Sequence, residues 1–531
     1  MNNKIKSFAF VVAVVCMGFM ACTKKLDLKQ INTNNPDVAY ATPAAYLQSL
    51  AKVYSGYALT SSSGPDQSDI ANIDAGTSDY FRTFWKLQEL STDEAVVGWT
   101  DPGIPDIHAM SWTADNKLTS ASYSRSMLHI TYCNEFLRES TAAKLAARNI
   151  TGTDAINIAR YRAEVRFLRA YQYWSLMDLY GSPAFATETT LIGGTAPNQI
   201  SRGALFTYVE NELKAIEPEL AAARTNQHGR ADRAACNALL ARIYLNAAVY
   251  TGTPRYADAA IHAKKVIDVA GFSLINNYRE LMLADNHTNV TENILTINYD
   301  GLRTQTYGGT TFLTNASIGG SMSAGDYGTS GGWAGLRTTK SLVNLFPDVS
   351  GSTDKRAQFF TNGQSLEINN IALFTDGYAI TKYRNKTKAG VNGSNGTFSD
   401  ADMPIFRLSE MYLIYAEAFA RGAAGTTATE ALTYVNNMRT RAYGNNTGNL
   451  PNAAAITPDF VLDERARELY WEGHRRTDLV RYNRFTTGTY LWPWKGGASG
   501  GTAVGMHRNL YPIPNSELLV NTNLVQNSPL Y

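Results

Sequence analysis

Apolar residues recur at three- and four-residue steps in several long blocks of this chain, the spacing of helices with one buried face. Residues 155–180 set Ile158, Tyr161, Val165, Leu168, Tyr171 and Trp174 along one stripe, and Gly181-Ser182-Pro183 stops the helix. Residues 203–223 form a second amphipathic block. Two helix pairs are clearer. One runs from Ala234 to Tyr250, turns at Thr251-Gly252-Thr253-Pro254 and returns from Arg255 to Ala270. The other spans 404–421 and 428–442, split at Gly422 to Gly425. In the first pair Ala235, Ala238, Ala241 and Tyr244 answer Tyr256, Ala257, Ala259, Ala260 and Ala263, small residues where two helices approach closely. Such pairs are similar to tetratricopeptide repeats, which stack and bury one continuous core. The pattern predicts a mainly α protein, with tetratricopeptide-like helical repeats at about 155–270 and 404–442.

Two stretches, about 55–125 and 300–400, break the helical period. They are rich in Gly, Ser, Thr, Asn and Asp, and a short β-type run at Ile294-Leu295-Thr296-Ile297 lies beside the second. Long ordered loops in a folded protein usually carry function. Trp85, Trp99, Trp112 and Trp333 lie within or beside them, so a large loop-rich ligand-binding region is expected there.

The first residues follow a different logic. Lys4 and Lys6 precede a 13-residue apolar run from Phe8 to Met20, too short to span a bilayer as a helix. The run ends in Phe19-Met20-Ala21-Cys22, which resembles a bacterial lipobox. Residues 1–21 are therefore expected to be a lipoprotein signal peptide and Cys22 the lipidated residue. Residues 22–40 are expected to be the lipidated N-terminus and tether, and 41–531 one folded domain. No other stretch is long and apolar enough to suggest a transmembrane helix.

Charge and cysteine count narrow the function. The 531 residues carry 48 Lys+Arg against 46 Asp+Glu. Removing residues 1–21 takes away two lysines and no acids, so the mature chain is formally neutral. Neutrality argues against nucleic acid or an anionic membrane surface as the main partner. With Cys16 in the signal and Cys22 lipidated, Cys133 and Cys236 remain, each inside a helical pattern and expected to be a reduced core thiol.

Catalytic and metal motifs are missing. There is no His-Glu-x-x-His, no Cys-x-x-Cys pair, no phosphate loop and no dinucleotide glycine fingerprint. Gly497-Ala498-Ser499-Gly500-Gly501 fits the nucleophile-elbow pattern without its strand–turn–helix context. Asp93-Glu94 is the most tempting carboxylate pair for glycoside hydrolysis, but reads better as a helix-capping arrangement begun by Ser91 or Thr92. The charged run from Asp463 to Arg481 reads as a helix with lateral ion pairs.

Several segments together resemble the SusD/RagB family. They are Leu462 to Phe485, Leu510-Tyr511-Pro512-Ile513-Pro514 with the C-terminal Gln526 to Tyr531, Ala163 to Ala170, and Gly229 to Ala235. The similarity is stronger to the family's starch-binding member, through Phe81-Arg82-Thr83, Glu89 to Glu94, Tyr307-Gly308-Gly309-Thr310, Gly332-Trp333 and Tyr490 to Gly497. The resemblance implies a non-catalytic surface lipoprotein of the outer membrane. It would bind starch or maltooligosaccharide, an α-1,4-glucan, and deliver it to a SusC-like TonB-dependent transporter. It also implies an aromatic arc of Trp99, Tyr307 and Trp333, with Arg82 as hydrogen-bond donor to sugar hydroxyls. Pro102 stands where the starch-binding member has an asparagine, leaving Asp101 as the acceptor there. No cofactor is expected. Some members hold a structural calcium, but the loop Ala284 to Asn289 offers one acid, so no metal is assigned. Two alternatives stay open: the same role for another glycan, and a lipoprotein endo-glycosidase acting through acids in the two loop regions.

Overall fold

In the computed structural model, which describes residues 35–191 and 193–531, helices dominate. The principal ones, numbered in chain order, are α1 (Pro43–Ala58), α2 (Tyr80–Glu89), α3 (Lys117–Glu139), α4 (Gly152–Leu179), α5 (Arg202–Ile216) and α6 (Arg233–Leu245). Then come α7 (Tyr256–Ile267), α8 (Gly309–Ala316), α9 (Leu408–Ala420), α10 (Ala428–Tyr443), α11 (Pro458–Leu469) and α12 (Arg475–Arg481). Side-chain caps define many of their starts. Thr42 accepts from Ala45 N ahead of Pro43, Asn116 from Leu118 N and Thr119 N, and Asp232 from Ala234 N and Ala235 N.

Neighbouring helices pack in series. α3 lies along α4, α4 along α5, α6 along α7, α7 along α9, and α9 along α10 and α11. This is the repeat-like stacking that the periodicity predicts. Ala235, Ala238, Ala241, Ala259 and Ala263 are all fully buried at the α6–α7 approach. Cys133 and Cys236 are buried free thiols, as expected.

Three boundaries differ from the sequence reading. The block at 203–223 is helical only to Ile216, because Pro218 falls in the following 3-10 turn, Glu217–Glu219. Residues 403–407 are a strand, since their backbone pairs with Asn293–Ile297 before α9 begins. The region 55–125 is not loop throughout. α2 runs through it on a stripe of buried Tyr80, Phe81, Phe84 and Leu87, and α3 begins inside it. Trp85 and Trp112 are fully buried, so these two are core and not ligand face.

Short antiparallel ladders tie the loops to this scaffold. They pair β1 (Val96–Val97) with β3 (Leu336–Arg337), β2 (Asn293–Ile297) with β6 (Met403–Arg407), and β4 (Phe359–Phe360) with β5 (Ala379–Ile380). The register Val96↔Arg337 and Val97↔Leu336 joins the two loop-rich regions directly.

The charged run at 463–481 is largely buried: the lateral pairs expected of it form at Glu464–Arg467 and Asp478–Arg481, but it is not one helix. It is split into α11 and α12, and its charges reach across the fold. Arg407 meets Glu468 at 2.6 Å, Glu472 at 2.7 Å and Glu292 at 3.1 Å. Arg356 meets Asp354 at 2.7 Å and Glu464 at 2.8 Å, with side chains completely excluded from solvent. Paired burial is the one way charges this deep remain tolerable.

The proposed signal peptide and Cys22 lie outside the described residues. The end of the expected tether is ordered: Asn35 caps a short helix, Pro36–Ala39, and Asp37 meets Arg148 at 3.0 Å. Among the described residues no helix is long and apolar enough to cross a membrane.

Candidate functional site

Helix α8 is the base of the site. Carbonyls at and just past its C-terminus receive the N–H groups of residues 333–335. Trp333 N donates to Asn315 O, Ala334 N to Ile318 O and Gly335 N to Ala316 O, each at 2.8 Å. Ala334 is held at φ 47°, a strained conformation for a residue with a Cβ, directly beside Trp333. Two residues past β1, Trp99 arrives from the other side of the ladder. Its indole N–H donates to Trp333 O at 3.2 Å, and Gly98 N donates to Gly335 O at 2.9 Å. The indole lies where a side chain at 335 would be, because a Cβ there would come within 2.4 Å of the ring.

Three half-buried aromatics result, spaced evenly. Trp99 and Trp333 have ring centroids 6.3 Å apart at 47°, and Tyr307 and Trp333 stand 6.3 Å apart at 50°. Phe312 of α8 backs Trp99 at 6.1 Å, and Phe398 backs Tyr307 at 5.3 Å. Successive tilts near 50° make an angled aromatic face rather than a flat stack.

Arg82 sits at the middle of this arc. Its guanidinium lies 4.7 Å from the Phe312 ring centre, 5.7 Å from Trp99 and 5.9 Å from Trp333. Nη1 donates to Tyr307 O at 2.8 Å, which joins α2 to the loop that carries the tyrosine. Burial lowers its pKa from the usual arginine value, partly offset by Asp79, Asp74 and Asp101. The same two segments meet again at Asp79, the buried cap of α2. Its carboxylate accepts from Arg82 N at 2.8 Å, Gly309 N at 3.1 Å and Thr306 Oγ1 at 3.2 Å. Gly308 and Gly309 permit this closeness, since Cβ atoms there would fall 1.8 Å from Asp79 and 2.2 Å from Tyr299.

The structure brings all five sequence-derived residues together. Arg82, Trp99, Asp101, Tyr307 and Trp333 line one open depression of about 480 Å³, joined by Asp74 and Gly76. The last two were not singled out from the sequence. Their signal was Asp74, which caps the short helix Ala75–Ser78 by accepting from Thr77 N, five residues before the cap Asp79. Asp101 is exposed, with its carboxylate free to face a ligand. The rim is acidic and hydroxyl-seeking, and its floor is aromatic.

The other candidate chemistry is structural. Ser91 and Thr92 follow the end of α2 and start no helix, which corrects the capping reading of Asp93-Glu94. Asp93 is instead held by Arg475 at 2.7 and 2.6 Å and by Tyr490 at 2.5 Å. Burial, opposed by Arg475 and reinforced by Asp93, pushes Glu94 up to about 8, and its neighbour Glu89 is raised as well. His108 accepts from Val97 N at 3.1 Å and so braces β1; burial and Arg337 push it down to about 4. Ser499 is exposed in a glycine loop with no strand–turn–helix around it. Among the described residues no three His, Cys, Asp or Glu side chains are grouped as for a metal ion.

Scaffold and site together define a class: a helical-repeat protein that presents a shallow, angled aromatic surface for a flat-faced ligand. Residues 353–531 match the model of the SusD family. The chain is 34% identical over 571 aligned positions to the starch-binding protein SusD of Bacteroides thetaiotaomicron, covering 98% of this chain and 97% of that one. It therefore belongs to the SusD family. A SusD superfamily protein from Parabacteroides distasonis superposes with a TM-score of 0.69 at 22% identity, covering 92% of this chain and 99% of that one. The surface glycan-binding protein A of Bacteroides thetaiotaomicron, solved with laminarihexaose, superposes with a TM-score of 0.68 at 19% identity, covering 91% and 99%.

Proposed function

We propose that this protein binds starch and maltooligosaccharides without cleaving them, on the arc of Trp99, Tyr307 and Trp333. The observation that carries this reading is the even 6.3 Å spacing of three tilted rings around one half-buried arginine. An α-1,4-glucan is a curved chain with weakly apolar sugar faces and hydroxyl edges. Aromatic rings cover those faces, Arg82 donates to hydroxyls and Asp101 accepts from them. Affinity per site is modest and rises by avidity on a polymer with many equivalent segments. The identity with the starch-binding relative supports this ligand.

The rest of the role follows the same reading. Residues 1–21 are removed, Cys22 is acylated, and the folded body sits at the outer membrane, where it passes glycan to a SusC-like TonB-dependent transporter. The relative solved with laminarihexaose supports a second reading, the same role for a β-glucan. Native electrophoresis through amylopectin, with laminarin and dextran gels alongside, separates the two. Retardation by amylopectin alone, lost in Trp99→Ala and Trp333→Ala, is the expected result. Retardation by laminarin alone transfers the proposal to the β-glucan, and new reducing ends on incubation with starch would overturn the non-catalytic reading.

A further inference from the structure

A second concave site lies elsewhere, and no residue of it belongs to the aromatic arc. It is a half-enclosed pocket of about 340 Å³ between α1, α4, the loop at 227–230 and strand β2. Leu47, Leu50 and Tyr54 of α1, Leu168 of α4, and Leu295 and Ile297 of β2 make its walls. These walls are mostly hydrocarbon. A dry apolar cavity of about 150 Å³ takes a benzene molecule, so this one has room for roughly eight to twelve carbon atoms.

Polar groups gather at one side. Gln227, His228, Asn298 and Thr304 line it, along with Arg230. The charges among them are already matched. Arg230 forms a two-point pair with Glu164, at 2.9 and 2.5 Å, and Tyr54 Oη donates to the same carboxylate at 2.7 Å. His228 Nε2 meets Asp402 at 2.6 Å, and its Nδ1 has no partner among the described residues. A charged ligand head would have to break one of these pairs. A hydroxyl needs only the unused Nδ1 of His228 and the Gln227 amide.

We infer that this pocket binds a neutral amphiphile, with an apolar body of roughly eight to twelve carbons and a hydroxyl head. The site does not depend on the glycan reading. Its wall is built on α1, and part of its polar side on the segment that leads, three residues beyond Thr304, to Tyr307.

The test uses the full mature chain and 1-octanol as probe, followed by ligand-observed NMR and calorimetry. Wild type should bind octanol saturably, with one site per chain. Ala51 is exposed on α1 at the pocket mouth, so Ala51→Trp should close the mouth without disturbing the core and weaken binding at least tenfold. Leu47→Trp, at a residue 48% exposed, serves the same purpose if the first variant folds poorly. Trp99→Ala should bind octanol as wild type does while losing retention on amylopectin, which keeps this site distinct from the arc. Absence of saturable binding up to octanol's solubility limit overturns the inference, and so does unchanged binding in both mouth variants.

Discussion

Replacing Gly335 with alanine should cost as much glucan affinity as removing Trp99, although position 335 touches no sugar. The new Cβ would lie 2.4 Å from two ring carbons of Trp99, and ordinary contact begins near 3.4 Å. The indole must therefore retreat by roughly 1 Å. Gly335 has no positive φ, so alanine adds no backbone strain, and its N–H to Ala316 O is kept. The ring is what yields. Its movement stretches the 3.2 Å bond from Trp99 Nε1 to Trp333 O and breaks the even spacing of the arc. A lost ring–sugar contact is worth about 1 kcal/mol, roughly fivefold in Kd, while the stretched internal hydrogen bond lowers stability instead. Calorimetry with maltoheptaose measures that change, and near-ultraviolet circular dichroism reports the moved indole. Glucan affinity equal to wild type with an altered tryptophan signal would refute the claim that ring placement controls binding.

Three further outcomes follow from the buried charges and from the neutral ligand. Glu89 Oε1 accepts from Gly473 N and His474 N while Oε2 has no partner among the described residues, and burial raises both Glu89 and Glu94. A raised carboxyl pKa stabilises the fold fully below the unfolded value and loses that contribution as pH climbs through about 8. Thermal melts should show Glu89→Gln gaining on wild type at alkaline pH and little at acid pH. Arg407→Met removes the cation shared by Glu468, Glu472 and Glu292, leaving them to Arg441, Arg356 and Lys382, and should lower stability by about 3–5 kcal/mol in urea titration, with no loss of glucan affinity in the fraction that stays folded. Glucan affinity should stay within about twofold as salt rises from about 50 to about 500 mM, since the ligand offers no charge to screen. A steep salt slope would point to an anionic ligand.

The helices were legible because each carries its own evidence. Ile158, Leu168 and Trp174 repeat at helical spacing within one segment, and the alanines of α6 and α7 declare a close approach. The site was legible only through resemblance. Its decisive ladder, β1 with β3, is two residues long on each side, and its partners lie far apart in sequence. No period can form over two residues, so no pattern announced that Trp99 and Trp333 meet. The strand Met403–Arg407 was misread for a related reason: its conformation is imposed by Asn293–Ile297, more than a hundred residues earlier.

The family-wide segment Leu462 to Phe485 lies in the buried ionic core and contributes no residue to the aromatic arc. Glu464, Glu468 and Glu472 are buried partners of Arg356 and Arg407, while Arg475 and Tyr490 clamp Asp93 at the end of α2. Such a framework must be matched nearly atom for atom, because removing one member leaves a buried charge unpaired. Half-exposed rings on loops face no such demand. Membership of the family is therefore written in the ionic core, where substitution is costly. Under the proposed function, the choice of glycan rests on a handful of positions around Arg82, where substitution is cheap. The pair Asp101-Pro102 is the plainest case, an exposed carboxylate beside a residue that can donate no hydrogen bond, at the rim of an otherwise complete arc. Two proteins can share the whole scaffold and differ in ligand through changes of that size, so the glycan must be settled by substitutions at the rim rather than by the overall identity of the chains.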